Sequence, residues 1–263
     1  MTRVPTLYGV KKRIDVLLVE RGLAESRAQA QALVMAGLVP GFAKAGEQVE
    51  EDAHVTVAAQ PRFVSRAGEK LENALDRLEV DVRGVDALDI GASTGGFTDC
   101  VLQRGAARVI ALDVGHGQLH EKLRNDPRVT VLERTNARLL EELPFAPDFI
   151  TCDVSFISVR LALPPALALA APAWQALVLV KPQFEAGRDD VGRGGVVRDP
   201  EIRRRAVRDV AEAALEWGAE PRAVVDSGLP GPKGNREYFL HLVQTDNPML
   251  PNDFDEQLDA EIR

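Results

Sequence analysis

Apolar residues along this chain fall into two rhythms. Over about the first sixty residues the rhythm is helical. Ile14, Leu17, Leu18 and Leu23 form a stripe that predicts one helix, ended by Gly22. Ser26 opens a second helix, with Gln29 three positions on as a capping box; Ala30, Leu33 and Val34 face its core and Gly37 terminates it. Val49 and Val55-Thr56-Val57 predict short strands. From about residue 70 the pattern changes to brief continuous apolar runs separated by helical stretches. Strands are predicted at Ala87–Ile90, Val109–Asp113, Val129–Leu132, Phe149–Asp153, Leu177–Val180, Ala223–Val225 and Tyr238–Val243. Helices are predicted at Gly96–Arg104, after Pro164, and at Glu201–Trp217. Such alternation implies an α/β fold, a mostly parallel Rossmann-like sheet with helices on both faces. Gly228–Gly234, the last connection, holds three glycines and two prolines and is too short for a helical crossover, so the final strand pair is expected to be antiparallel.

The chain then divides into an N-terminal extension (1–12), a small α+β module (13–59), a linker (60–69), a large α/β domain (70–245) and an acidic tail (246–263). Net charge is -8, which at first argues against a polyanionic partner. The distribution changes that picture. Six acids after position 245 (Asp246, Asp253, Asp255, Glu256, Asp259, Glu261) face only Arg263, whereas Met1–Lys44 carries seven bases against three acids. Local fields, not totals, steer polyanions. The acidic tail matches no recognisable element and is read as a candidate disordered segment. Cys100 and Cys152 sit in apolar runs and read as buried small hydrophobes of a reduced protein. Met1–Lys12 lacks an apolar core of signal-peptide length, so a cytoplasmic location is expected. Leu161–Val180 is twenty residues without a charge, the length of a membrane span. Pro164, Pro165 and Pro172 break it, and a short helix followed by a strand Trp174–Val180 is the better parse.

Candidate chemistry centres on Leu88-Asp89-Ile90-Gly91-Ala92-Ser93-Thr94-Gly95-Gly96-Phe97, followed by Ala111-Leu112-Asp113. A strand, a glycine-rich turn, a helix start and a second strand ending in an acid form half of a nucleotide-cofactor site. A dinucleotide fold requires glycine where Ser93 stands. A P-loop requires Lys-Ser/Thr after Gly96, which is absent. The run Gly91–Gly95 also fits the nucleophile elbow of α/β-hydrolases, but it follows the first strand of the sheet, and the only late histidine, His241, lies inside a strand. S-adenosylmethionine has no pyrophosphate. Its site needs a wide turn, an acid for the ribose and a polar group near the adenine. Gly91, Ser93, Thr94, Gly95, Gly96, Phe97, Asp113 and Asn136 supply these in chain order, although Asn136 is equally compatible with a plain turn. A seven-stranded sheet with an antiparallel ending suits a methyltransferase better than a six-stranded dinucleotide fold. No metal site is expected.

Two further strands end on a charge at the sheet's carboxyl edge, at Asp153 and Lys181. Ligands of open α/β sheets bind along that edge; a structural ion pair is the plainer alternative. Lys70 opens the large domain and Glu237 follows the glycine-proline loop. At this point the chain resembles the TlyA family of ribosomal RNA 2′-O-methyltransferases, also labelled haemolysins, which join an S4-type RNA-binding domain to an FtsJ-like methyltransferase domain. The resemblance covers about residues 13–243. It is carried by Arg13–Leu23, Asp89–Cys100, Glu133–Arg138, Asp153–Ser158, Lys181–Arg188 and Gly194–Pro200. It implies S-adenosylmethionine as cofactor and a catalytic Lys-Asp-Lys-Glu quartet, which falls on Lys70, Asp153, Lys181 and Glu237. It implies ribosomal RNA or a ribosomal subunit as partner, with a cytidine ribose of 16S or 23S rRNA as target. It also implies basic RNA contacts, which fall on Arg13, Arg21 and Arg27; Arg66 in the linker is a further candidate. A monomer without membrane attachment is expected. One departure stands out. S4 modules usually carry a hairpin with Asn-Gly after the second helix, and here Val39–Gly46 contains Pro40 and no such turn, so the ribbon is expected to be altered. The rival readings are a catalytically inactive RNA-binding or ribosome-assembly protein and a pore-forming haemolysin.

Overall fold

The computed structural model describes residues 11–58, 61–231 and 233–263. The expected N-terminal extension lies outside them except for Lys11 and Lys12. The chain forms two compact units, Met1–Pro61 and Arg62–Arg263.

In the small unit, strand β1 (Lys11–Arg13) leads into helix α1 (Ile14–Glu20), then α2 (Arg27–Met35) and strand β2 (Gln48–Glu50), which pairs antiparallel with β1. Ser26 Oγ accepts from Gln29 N at 3.2 Å, and the Gln29 side chain accepts from Glu25 N at 2.6 Å, so the reciprocal bond closes one residue earlier than in an ordinary capping box. Ile14, Leu17, Leu18, Ala30, Leu33 and Val34 make the core, joined by Val39, Val49 and Val55. Two expectations fail here. Leu23 is an exposed apolar residue, because α1 has already ended. Val55–Val57 is not a strand, although Val55 is buried. Residues 39–46, where the usual hairpin was in doubt, form turns with no ladder.

The large unit opens with helix α3 (Ala67–Arg77), followed by β3 (Asp86–Ile90), α4 (Gly96–Gln103), β4 (Arg108–Leu112), α5 (Glu121–Arg124) and β5 (Val129–Leu132). Then come β6 (Phe149–Cys152), α6 (Val159–Ala162), α7 (Pro164–Leu167), β7 (Gln175–Val180) and α8 (Pro182–Glu185), and finally α9 (Pro200–Leu215), β8 (Ala219–Asp226), β9 (Tyr238–Gln244) and α10 (Phe254–Glu261). Seven strands make one sheet in the order β5-β4-β3-β6-β7-β9-β8. All neighbours are parallel except β9, which runs antiparallel to both β7 and β8. The order reverses between β3 and β6, which is where open α/β sheets leave a crevice. Alternate side chains feed two cores. Leu88, Ile90, Ile110, Val178 and Val180 pack under α6, α7, α9 and α10. Ala87, Val109, Leu177 and Leu179 pack with residues of α3, α4 and α5.

Two expectations for this unit are corrected. The linker does not extend to residue 69: Phe63 is already buried in the large core, Val64 N donates to Asp99 Oδ2 at 2.9 Å, and Ala67–Glu69 form the first turn of α3. The acidic C-terminus is not structureless. Phe254, Leu258 and Ile262, four residues apart, are buried in the core, and α10 lies along the outer edge of β8. Gln257 Oε1 accepts from Val224 N at 3.3 Å and Glu261 Oε2 from Asp226 N at 2.7 Å, which satisfies ladder donors that an edge strand leaves open. Its acids pair with Arg204, Arg208 and Arg77. Among the described residues no helix is long and apolar enough to cross a membrane, and Leu161–Val180 resolves into short helices and β7.

Candidate active site

The crevice begins where β3 stops. Gly91 follows with φ +83°, and a Cβ there would come within 2.4 Å of Asp153 O on the neighbouring strand. Only glycine permits that approach. Gly91 N and Ala92 N both donate to Leu112 O, at 2.8 and 3.0 Å, which folds the turn back over β4. Ser93 takes a left-handed φ of +50°, and its N–H donates to Asp113 Oδ2 at 2.8 Å. Asp113 Oδ1 accepts from Gly115 N at 2.6 Å. The acid therefore organises two loops, and each oxygen keeps a lone pair for a further donor. Gly95 and Gly96 start α4 with their backbone buried, and Thr94 is exposed with its carbonyl accepting from His120 N. Phe97 is a core residue, its ring 5.6 Å from that of Phe239. Asn136 caps a short 3-10 turn, its Oδ1 accepting from Arg138 N at 3.1 Å.

Gly91, Ser93, Asp113, Asn136 and Asp153 border one open groove of about 1880 Å³. A smaller recess of about 360 Å³ lies on the other side of the turn, between Ser65, Asp89, Thr94, Gly96, Phe97 and Asp153. Beneath it Asp89 is fully enclosed. Its carboxylate accepts from Thr98 N (2.9 Å), Thr98 Oγ1 (2.7 Å) and Thr151 Oγ1 (3.0 Å), tying α4 and β6 to β3. Burial pushes its pKa up to about 6, opposed by the Thr98 and Thr151 hydrogen bonds.

The four charged candidates form two ion pairs. Asp153 follows β6, and its N–H donates to Ile90 O at 2.8 Å. Lys181 follows β7, with Nζ 2.5 Å from Asp153 Oδ1 and 3.0 Å from Ser155 Oγ. The contact with Asp153 is close but lacks hydrogen-bond geometry, and Asp153 Oδ1 has no hydrogen-bond partner. Lys70, on the first turns of α3, lies 2.5 Å from Glu237 Oε2, and both are buried. Register relates the two pairs. Val180 faces Tyr238 across the antiparallel β7–β9 ladder, so Lys181 and Glu237 leave neighbouring strands at the same level. Arg66 sits at the N-cap of α3 and donates to Pro230 O at 3.1 Å.

In the small unit, Arg13 and Arg27 converge on Asp15, which is buried. Arg13 binds both its oxygens (3.0 and 2.9 Å), and Arg27 and Gln31 bind Oδ2 (3.2 and 2.9 Å). Arg21 instead straps the end of α1 to Ala53 O and Glu51 O. The three arginines are thus not grouped on one partner.

Residues 63–244 match the FtsJ-like methyltransferase family and residues 12–39 match the S4 domain. The 16S/23S rRNA (cytidine-2′-O)-methyltransferase TlyA of Mycobacterium tuberculosis is 48% identical over 249 residues, 91% of this chain and 92% of the relative. The chain belongs to the TlyA family. Hemolysin A of Brachyspira hyodysenteriae is 39% identical over 238 residues, 88% of this chain and 99% of its own. A solved structure from Streptococcus thermophilus is 40% identical, with a TM-score of 0.74 over 95% of both chains.

Several site residues of this TlyA-family chain escape sequence reasoning. Ser155 holds Lys181 from the loop after β6. Phe156, next to it, takes φ +64° and is 92% exposed, with its ring 5.2 Å from Phe184. Glu185 is buried and holds that loop by accepting from Ser158 Oγ (2.5 Å) and Val159 N (2.7 Å). The signal for Phe156 was present in Val154-Ser155-Phe156, an aromatic placed between a catalytic candidate and a helix start. Nothing local marks Glu185, whose partners lie 26 and 27 residues away.

Proposed function

We propose that this protein is an S-adenosylmethionine-dependent 2′-O-methyltransferase of ribosomal RNA, acting on a cytidine ribose of 16S or 23S rRNA in the cytoplasm. The observation that carries the reading is the Asp153–Lys181 pair at the carboxyl edge of the sheet, beside Gly91, where no side chain fits. That turn, with Asp113 beyond it, fits the cofactor. The open backbone at Gly91–Gly96 suits its amino-acid end, Asp113 has lone pairs for two ribose hydroxyls, and Asn136 lies across the groove for the adenine. When bound, the cofactor supplies a methyl group on an electrophilic sulfonium.

The chain must hold a 2′-hydroxyl in line with that methyl and help its proton leave. Lys181 Nζ, fixed between Asp153 and Ser155, can contact the hydroxyl oxygen and assist its deprotonation. Asp153 orients Lys181 and places negative charge at the recess that the sulfonium would face. Lys70 and Glu237 extend the charge network towards the incoming strand. Holding the reactants in line and avoiding solvent reorganisation can contribute about 7–11 kcal/mol. A 2′-hydroxyl also separates RNA from DNA, and the exposed ring of Phe156 at the groove's rim offers a face for an unstacked base. Arg13, Arg21 and Arg27 retain unused N–H groups for phosphates of the same RNA, as does Arg66.

The test is mass mapping of 2′-O-methylated nucleotides in rRNA with and without the gene, together with methyl transfer to isolated subunits. Lys181→Ala is expected to abolish transfer while the affinity for S-adenosylmethionine stays near that of the wild type. Full activity in that variant removes Lys181 from the mechanism.

A further inference from the structure

The large unit carries a group of cations that its carboxylates leave alone. Residues 191–198 form a small hairpin closed by a bridge between Gly192 and Val196. Residues 227–231 and 233–237 lie between β8 and β9. Asn235, 4% exposed, latches the two together: its Oδ1 accepts from Val197 N at 3.0 Å, its Nδ2 donates to Gly195 O at 2.8 Å, and its carbonyl accepts from Gly231 N at 2.9 Å. The latch touches the catalytic candidates, since a Cβ at Gly231 would stand 2.4 Å from Glu237 Oε1.

Arg193, Arg198 and Lys233 are exposed on these latched loops. Lys233 Nζ lies 3.8 Å from where a Gly195 Cβ would stand, and Arg198 Nη1 lies 3.9 Å from the same point at Gly192. Among the described residues, none of the three pairs with a carboxylate. Arg204, Arg205 and Arg208, a few residues on, all do. The contrast matters in a chain with 40 acids and 32 Lys and Arg, where counter-charges are plentiful. Exposed cations on loops joined by a buried amide, and left without acids, are free to take an anion. Because Asn235 ties the hairpin to the loop whose Gly231 stands against Glu237, such an anion would lie close to the Lys70–Glu237 pair.

We propose that the 191–198 hairpin and residues 233–237 form a clamp for the RNA backbone flanking the target nucleotide. Arg193, Arg198 and Lys233 each hold a phosphate, and Asn235 is the positioning residue that keeps them over the site. This rests on the rRNA methyltransferase reading and adds to it a contact surface on the catalytic unit itself. The experiment measures binding of ribosomal subunits lacking the modification, as a function of KCl, for the wild type and for the triple variant R193A/R198A/K233A. The slope of log affinity against log salt should fall by about 2, at roughly 0.7 for each phosphate lost on a single strand, with at least about tenfold weaker binding at low salt. The charge-retaining R193K/R198K variant should keep the wild-type slope. S-adenosylmethionine affinity, measured on the same samples, should be unchanged and reports correct folding; the charge-reversed single variant R198E serves if the triple variant fails that control. An unaltered slope in the triple variant or in R198E overturns the clamp. Failure of the wild-type protein to methylate either subunit would instead overturn the function, while the salt slope still decides the clamp.

Discussion

Asp15 and Asp153 are both carboxylates drawn up against cations, one in each unit, and they differ in saturation. Asp15 receives hydrogen bonds from Arg13, Arg27 and Gln31 and is wholly buried. Those donors hold its carboxyl well below the usual range, Arg13 foremost. Asp153 has Lys181 at 2.5 Å without hydrogen-bond geometry, an oxygen with no hydrogen-bond partner, and a side chain still 19% exposed at the groove. A saturated acid has nothing left to offer a ligand and acts as a strut for the fold. An acid with one cation partner, open to the groove and next to Gly91, can still serve a ligand. Composition alone would rank the two sites equally.

The largest effect that could break this contrast comes from the same substitution made at both sites. Asp153→Asn should lower methyl transfer by about 10²–10⁴-fold, the usual range for losing general acid–base assistance, because Lys181 then has no carboxylate to orient it, with little change in the unfolding midpoint. Asp15→Asn should do the reverse. It faces an amide NH2 towards arginine donors and should destabilise the small unit by roughly 3 kcal/mol, since charged hydrogen bonds are each worth about 1.5–3 kcal/mol. Circular dichroism melts and a methyl-transfer assay on the two variants check this. Loss of activity without loss of stability at Asp15, or the opposite at Asp153, would dissolve the distinction.

The second effect concerns pH and sets the buried Asp89 against the half-buried His241, both in the large unit. Asp89 has a folded pKa near 6, above its unfolded value near 4, so the native state holds the proton more tightly. Its contribution is present below about pH 4 and is lost as pH rises through 6. His241 runs the other way. Burial pushes it down to about 4, so as pH falls below 6.5 the unfolded chain gains a proton that the native state refuses. Each is worth up to about 3 kcal/mol, and between pH 6.5 and 5 they largely cancel. Asp89→Asn removes one side of the balance. Its midpoint should fall more steeply than that of the wild type as pH drops from 6.5 to 5, in melts recorded across that interval. Parallel curves would show that Asp89 is ionised in the fold and that its three hydroxyl and amide donors outweigh its burial.

The same contrast explains what was readable in the chain. Strands β3 to β7 were legible within a few residues because each is a short apolar run stopped by a charge or a glycine, and a buried parallel strand has no other way to be written; the antiparallel β9 was legible from the apolar run Tyr238–Val243 alone. The glycine turn was legible because φ above zero and close backbone approach demand glycine. Helix α10 was misread because its acids dominate the composition, although Phe254, Leu258 and Ile262 keep a helical stripe beneath them. Helix α3 as a whole is absent from the sequence expectations: Gly68 makes its opening a weak one, and packing of Leu71, Ala74 and Leu75 into the core overrides that. The pairing of Lys70 with Glu237 joins residues 167 positions apart, and no local pattern encodes which acid meets which base.

The smallest effect tests whether one arginine can serve both as strut and as RNA contact. Arg27 makes a single 3.2 Å bond to Asp15, with its side chain 57% exposed. Four of its five N–H groups are left for other acceptors. Arg27→Ala should therefore cost at most about 1 kcal/mol of stability, because Arg13 and Gln31 still saturate Asp15. The salt slope for binding ribosomal subunits should fall by about 0.7–0.9, the signature of one phosphate contact on a single or a double strand. Arg13→Ala offers the opposite balance: two of the bonds to Asp15 disappear with it, so its cost in stability should be the larger of the two. If Arg27→Ala lowered the midpoint and left the slope unchanged, the arginine would be a strut alone. The small unit would then have to grip RNA through residues that Asp15 does not organise.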